Sequence, residues 1–115
     1  MSSTLFTPYK LGPVTLRNRT IRSAAFESMG KDFGPTRQLK DYHVAVARGG
    51  VGMTTLAYAA VCRSGLSFNK QLWLRPEIVP GLREITDAVH REGAAAAIQI
   101  GHCGNMTHWT TAGQM

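Results

Sequence analysis

An α/β fold with a parallel sheet is predicted for this chain by two features of its sequence. From Thr20 onward, short apolar segments alternate with amphipathic ones, and glycines mark the ends of the amphipathic stretches. The resulting order is β-α-β-α-β, in which helices carry the chain between strands that pair in parallel through right-handed crossovers. The 115 residues suffice for one domain with a modest core, and residues 1–115 contain no linker, close repeat or low-complexity run.

Before the alternation begins, the stretch from Tyr9 to Leu16 reads as a small hairpin turning at Gly12-Pro13. Thr20 to Phe26 reads as the first strand, with small residues at its end. Pro35-Thr36 offers a helix start, because the Thr36 hydroxyl can accept from an orphan amide of the first turn. Leu39, Tyr42 and Val46 then follow at helical spacing. Gly49-Gly50 stops that helix, since glycine tolerates the left-handed conformation common at C-termini. Val51 to Ala57 reads as the second strand and Arg63 to Leu74 as loop, with Gly65, Ser67 and Asn69 as turn residues. Leu82, Ile85 and Val89 repeat the stripe on a second helix from Pro80 to Arg91, which Gly93 ends. Ala94 to Ile100 is the third strand, and the stretch from Thr107 to Met115 reads as the start of the loop beyond it.

Two architectures accept three parallel strands: a doubly wound open sheet and a TIM barrel. A dinucleotide-binding sheet calls for Gly-x-Gly-x-x-Gly between a strand and a helix. The glycine cluster Gly49-Gly50-Val51-Gly52 lacks that spacing and lies between a helix and a strand. The predicted strand ends carry small or polar residues: Ser23, Ala24 and Ala25; Ala57 and Tyr58; Gln99 to Gly101. In a barrel such ends form the catalytic face, where small side chains let a flat ligand approach the backbone.

Bulk properties narrow the partners. Thirteen basic against seven acidic residues give a formal charge of +6, but the cations are scattered singly from Lys10 to Arg91 without a basic run. A solvated surface is the better reading, and no nucleic-acid partner is expected. No apolar run approaches the roughly 18 residues of a membrane span. Met1 to Lys10 shows neither a basic nor an apolar signal region, so a cytoplasmic protein is the default. Cys62 and Cys103 do not make a disulfide framework. With His102 and His108 they lack the paired spacing of a zinc site, so no metal is expected.

Several tracts taken together resemble the Old Yellow Enzyme, or NADH:flavin oxidoreductase, family. They are Leu5-Phe6-Thr7-Pro8, Leu16-Arg17-Asn18-Arg19, Ser23-Ala24-Ala25, Gly49-Gly50-Val51-Gly52, Tyr58-Ala59-Ala60-Val61, Leu72-Trp73, Gly81-Leu82 and Gln99-Ile100-Gly101-His102-Cys103-Gly104. Their order and spacing cover nearly the whole chain. The resemblance implies the N-terminal part of a (β/α)₈ TIM barrel: about three βα units preceded by a small hairpin. A complete barrel needs about 250 residues. It also implies FMN as cofactor and NADH or NADPH as reductant. The small-molecule substrate would be an activated alkene such as an enone, and a homo-oligomer is open for the full-length protein. The family's carbonyl-binding His/Asn pair, proton-donating tyrosine and phosphate-binding region correspond to later segments. No catalytic residue is therefore expected here, and the chain alone is expected to be inactive.

The resemblance assigns the cofactor contacts residue by residue. Gln99 shares one strand face with Ala95 and Ala97, and matches the family's flavin-contacting glutamine, whose amide offers both a donor and an acceptor. The alternative is a polar residue filling the barrel interior. Ser23, Ala24 and Ala25 match the first-strand segment whose backbone nears the flavin. Ala57 and Tyr58 match the second-strand contact, where a tyrosine would have to turn its ring aside. His102 lies in Gln-x-x-His-x-Gly, on the substrate side or as a loop-structuring histidine; many members carry arginine where this chain has Asn105. Phe26 replaces a residue that often hydrogen-bonds the flavin. Glu27 falls near a substrate-facing position, or is solvated.

Overall fold

The computed structural model describes residues 3–107. The hairpin predicted at the N-terminus forms from β1 (Tyr9–Leu11) and antiparallel β2 (Val14–Leu16). Gly12 makes the turn with φ +57, a conformation that L side chains resist.

The main sheet has β4 (Met53–Ala60) as its central strand. β3 (Ile21–Arg22) and β6 (Ala95–Gly101) pair with it in parallel, and β5 (Leu72–Trp73) joins its far end. Two helices, α1 (Arg37–Arg48) and α2 (Val79–Arg91), provide the crossovers. Both helices pack on the same face of the sheet, in one core of Leu39, Ala47, Leu56, Ala59, Leu72, Ile85, Val89 and Ala94. Helices on one face, with β3, β4 and β6 side by side in chain order, are how a barrel begins; a doubly wound sheet covers both faces. The opposite face stays uncovered: Ile21, which pairs with Met53 of β4, is about half exposed, at 48%.

The helix starts and stops follow the predicted chemistry. The Thr36 hydroxyl accepts from the Leu39 N–H at 3.1 Å, and its own proton goes to the Met29 carbonyl. Gly50, with φ +103, takes the chain out of α1, and Gly93, with φ +87, takes it out of α2. One stripe needs correction: α1 buries Leu39, His43 and Ala47, whereas Tyr42 and Val46 are half-buried. A fully buried histidine is acceptable here because both ring nitrogens are hydrogen-bonded, to Thr54 and Glu27.

Arg17 ties the opposite end of the sheet together. Its guanidinium donates to the carbonyls of Val51 at 3.1 Å, Glu92 at 2.7 Å and Ala47 at 2.6 Å. The N-terminal hairpin is thereby fastened to the C-terminal ends of both helices.

Three strand assignments differ from the sequence reading, the second strand running to Ala60 rather than Ala57. The first strand ends at Arg22 rather than Phe26, because side chains take over its hydrogen bonds to β4 beyond that point. The predicted loop from Arg63 to Leu74 contains β5, too short for any periodicity to reveal. The predicted loop beyond Thr107 lies outside the described residues. No described helix is long and apolar enough to cross a membrane.

Candidate cofactor-binding site

The C-terminal ends of β3, β4 and β6 come together at one edge of the molecule. Past the end of β3, Ser23 and Ala25 are exposed and Ala24 is half-buried, so a small-residue shelf borders the uncovered face. At β4 the register with β6 shifts between Leu56 and Ala59. Ala57 is buried, whereas Tyr58 turns its ring against Phe26, with centroids 5.1 Å apart, and its hydroxyl lies 2.7 Å from Ser67 Oγ.

Gln99 stands exposed near the end of β6. Its neighbours Ala96 and Ile98 pack toward the helices, which puts Ala95, Ala97 and Gln99 on the uncovered face by alternation. An open groove of about 230 Å³ is lined by Tyr58, Gln99, Ile100, Gly101, His102 and Cys103. A Cβ added at Gly101 would meet nothing within 4 Å, so the backbone there is open to a flat ligand.

His102 is committed to its loop. Nδ1 accepts the Gly104 N–H at 3.0 Å, so the neutral ring carries its proton on Nε2, 3.2 Å from Ser64 Oγ. The ring also lies over Gly65, where an added Cβ would stand 2.9 Å from His102 Cδ2. This geometry serves the loop-structuring reading, because neither ring nitrogen is left for a ligand.

Glu27 is the clear correction. It is not solvated, for its side chain is only 2% exposed. Oε2 receives Arg22 Nη1 at 2.8 Å and sits 2.9 Å from His43 Nε2; both oxygens receive the Ala57 N–H at 3.2 Å. A carboxylate this buried requires such partners. Phe26 stacks on Phe68, with centroids 5.1 Å apart, and with Tyr58 makes an aromatic cluster beside the shelf. Phe68 is presented by a loop folded around Gln71, whose Oε1 accepts from the Ser67 N–H at 2.7 Å and the Phe68 N–H at 3.4 Å.

Arg22, His43, Phe68 and Gln71 escaped the sequence reading. Arg22 closes β3 and Glu27 lies five residues on in an irregular segment, where no periodicity pairs them, and the partners of His43 come from two distant elements. Among the described residues no three His, Cys, Asp or Glu side chains converge on a metal-sized space. His108 lies outside them.

A parallel sheet with helices on one face, its strand ends gathered at one edge, defines the N-terminal part of a TIM barrel. The chain belongs to the NADH:flavin oxidoreductase / NADH oxidase family, whose sequence profile matches residues 4–112. It is 48% identical over 100 residues to a 4,4'-dithiodibutanoate disulfide reductase of Rhodococcus erythropolis, covering 87% of this chain and 25% of that protein. A probable N-methylproline demethylase of Rhizobium meliloti (strain 1021) is also 48% identical, over 107 residues, covering 91% of this chain and 16% of that one. The Old Yellow Enzyme homologue from Zymomonas mobilis superposes with a TM-score of 0.88 at 23% identity, covering 98% of this chain and 32% of that structure. The chain thus spans a quarter or less of these two curated relatives' length.

Proposed function

We propose that residues 1–115 form the first part of a single FMN-binding barrel domain, in an NAD(P)H-dependent oxidoreductase that reduces activated alkenes. The reading rests on one observation: Ser23 to Ala25, Ala57 with Tyr58, and Gln99 meet at the open edge of the sheet, beside a groove with bare backbone at Gly101. These residues fit the planar ring of FMN, which needs a flat approach to backbone and a donor–acceptor amide at its polar edge. When bound, FMN supplies the hydride-transfer chemistry.

The chain's own part is to bind and orient. Ser23, Ala24 and Ala25 offer backbone without bulk. The Gln99 amide donates and accepts at the ring's polar edge. Phe26, Tyr58 and Phe68 form an apolar wall that excludes water from one side of the ligand. His102 holds the loop after β6 against Gly65 and so keeps the groove open. No proton donor to substrate is assigned to these residues, and the chain alone is held to be inactive.

FMN titration of the protein at its full natural length tests the reading, followed by NADH- or NADPH-driven reduction of an enone. A linear organic disulfide belongs in the same substrate panel, given the Rhodococcus relative. The expected result is a yellow protein whose FMN affinity falls about tenfold in Gln99→Leu, the cost of one lost polar recognition. A protein that binds no FMN would overturn the assignment. Enone turnover by the isolated 115-residue chain would overturn its incompleteness.

A further inference from the structure

Where β3 stops, two side chains continue its half of the sheet. Met53 of β4 faces β3, its N–H donating to the Thr20 carbonyl at 3.2 Å. Thr55 and Ala57 face the same way by alternation. Beyond Arg22, however, no backbone of the first strand reaches them. The Thr55 carbonyl instead receives Arg22 Nη1 at 2.6 Å, and the Ala57 N–H donates to the Glu27 carboxylate. Arg22 Nη2 also donates to the Ala25 carbonyl at 3.2 Å and lies 3.2 Å from the Tyr42 hydroxyl. One buried ion pair therefore grips Ala25 on one strand end and Ala57 on the next.

Stability alone does not account for this arrangement. The desolvation of a buried ion pair commonly cancels its attraction, and apolar residues of similar volume would hold the segment at no greater cost. What a hydrogen-bonded pair adds is fixed geometry, because each acceptor and donor has a required direction.

We propose that Glu27, acting through Arg22 and the Ala57 amide, is a positioning residue for the flavin platform. It sets the gap between the first two strand ends, so that Ala25 and Ala57 present their backbone to one plane. The inference rests on the flavin reading above. His43 and Thr54 anchor the carboxylate from the helix side, which makes the device rigid rather than local.

The test uses the protein at its natural length and compares Glu27→Ala and Glu27→Gln with Ile85→Ala. Ile85 lies in the core beneath α2, and its truncation lowers stability without touching the shelf. The readouts are FMN affinity by fluorescence titration, the visible absorption band of bound flavin, and the melting temperature. Glu27→Ala is expected to weaken FMN about tenfold and to shift the band, the mark of a displaced recognition edge. Ile85→Ala should melt earlier yet bind FMN like the wild type. Glu27→Gln keeps the volume and one acceptor, and should fall between wild type and Glu27→Ala; it decides the matter if the alanine variant does not fold. Wild-type affinity and spectrum in both Glu27 variants would overturn the positioning role, as would an equal FMN loss in Ile85→Ala. A wild-type protein without FMN would instead remove the flavin reading, and this inference with it.

Discussion

Removing the Arg17 guanidinium, by Arg17→Met, isolates the clamp at the N-terminal end of the sheet. The apolar stem is kept, while three donated bonds, to Val51, Glu92 and Ala47, are lost. A hydrogen bond from a charged donor contributes about 1.5–3 kcal/mol. Arg17 is only half-buried, so water reaches part of the vacated space, and the Ala47 carbonyl retains the Gly50 N–H at 3.0 Å. About 1 kcal/mol per bond is then appropriate, and the total loss is about 3 kcal/mol. Arg17→Lys should recover only about a third of this, because one ammonium cannot match the fork that reaches three carbonyls. Urea unfolding measures the effect as a shift in midpoint at unchanged slope.

A second variant checks the geometry. A Cβ on Gly93 would stand 2.6 Å from Arg17 Nη1, and Gly93 has φ +87. Gly93→Ala therefore carries a steric term that depends on Arg17 and a backbone term of about 1–2 kcal/mol that does not. In the Arg17→Met background only the backbone term should remain, so the two substitutions should couple by more than about 0.5 kcal/mol. Arg17→Met within about 0.5 kcal/mol of the wild type, or strictly additive effects, would refute the clamp.

Two further expectations concern the other end of the chain's order. Thr36→Ala removes both the helix cap and the bond to Met29, and should cost about 1–2 kcal/mol in urea unfolding, with Thr36→Ser close to wild type. Tyr58→Phe removes the contact with Ser67 but keeps the ring on Phe26; it should cost about 1 kcal/mol and leave FMN affinity nearly unchanged in a fluorescence titration.

The regular elements were legible because their signals are local. The Thr36 cap, the stripe of Ile85 and Val89 and the stop at Gly93 each follow from residues a few positions apart. The Gln99 face was legible for the same reason, since alternation along a strand needs no knowledge of the partner. His43 shows where that logic fails. Its burial depends on Thr54 from β4 and on Glu27 from the irregular segment, so a residue type usually counted as polar becomes core.

The strand ends are where local rules and tertiary structure part company, and they are also where the proposed flavin platform lies. The stretch from Ser23 to Phe26 has the composition to continue β3, yet continuing it would carry the first strand alongside β4 through Ala57. Arg22 and Glu27 occupy that place and satisfy Thr55 and Ala57 from a distance, which frees the segment to leave the sheet and lay its small residues along the open edge. A regular ladder would have been legible and would have left Glu27 outside, at a solvated or substrate-facing position. A buried carboxylate at the junction is thus the cost of diverging strands, and local sequence–structure disagreement of this kind is expected where a fold gives up regularity for a site.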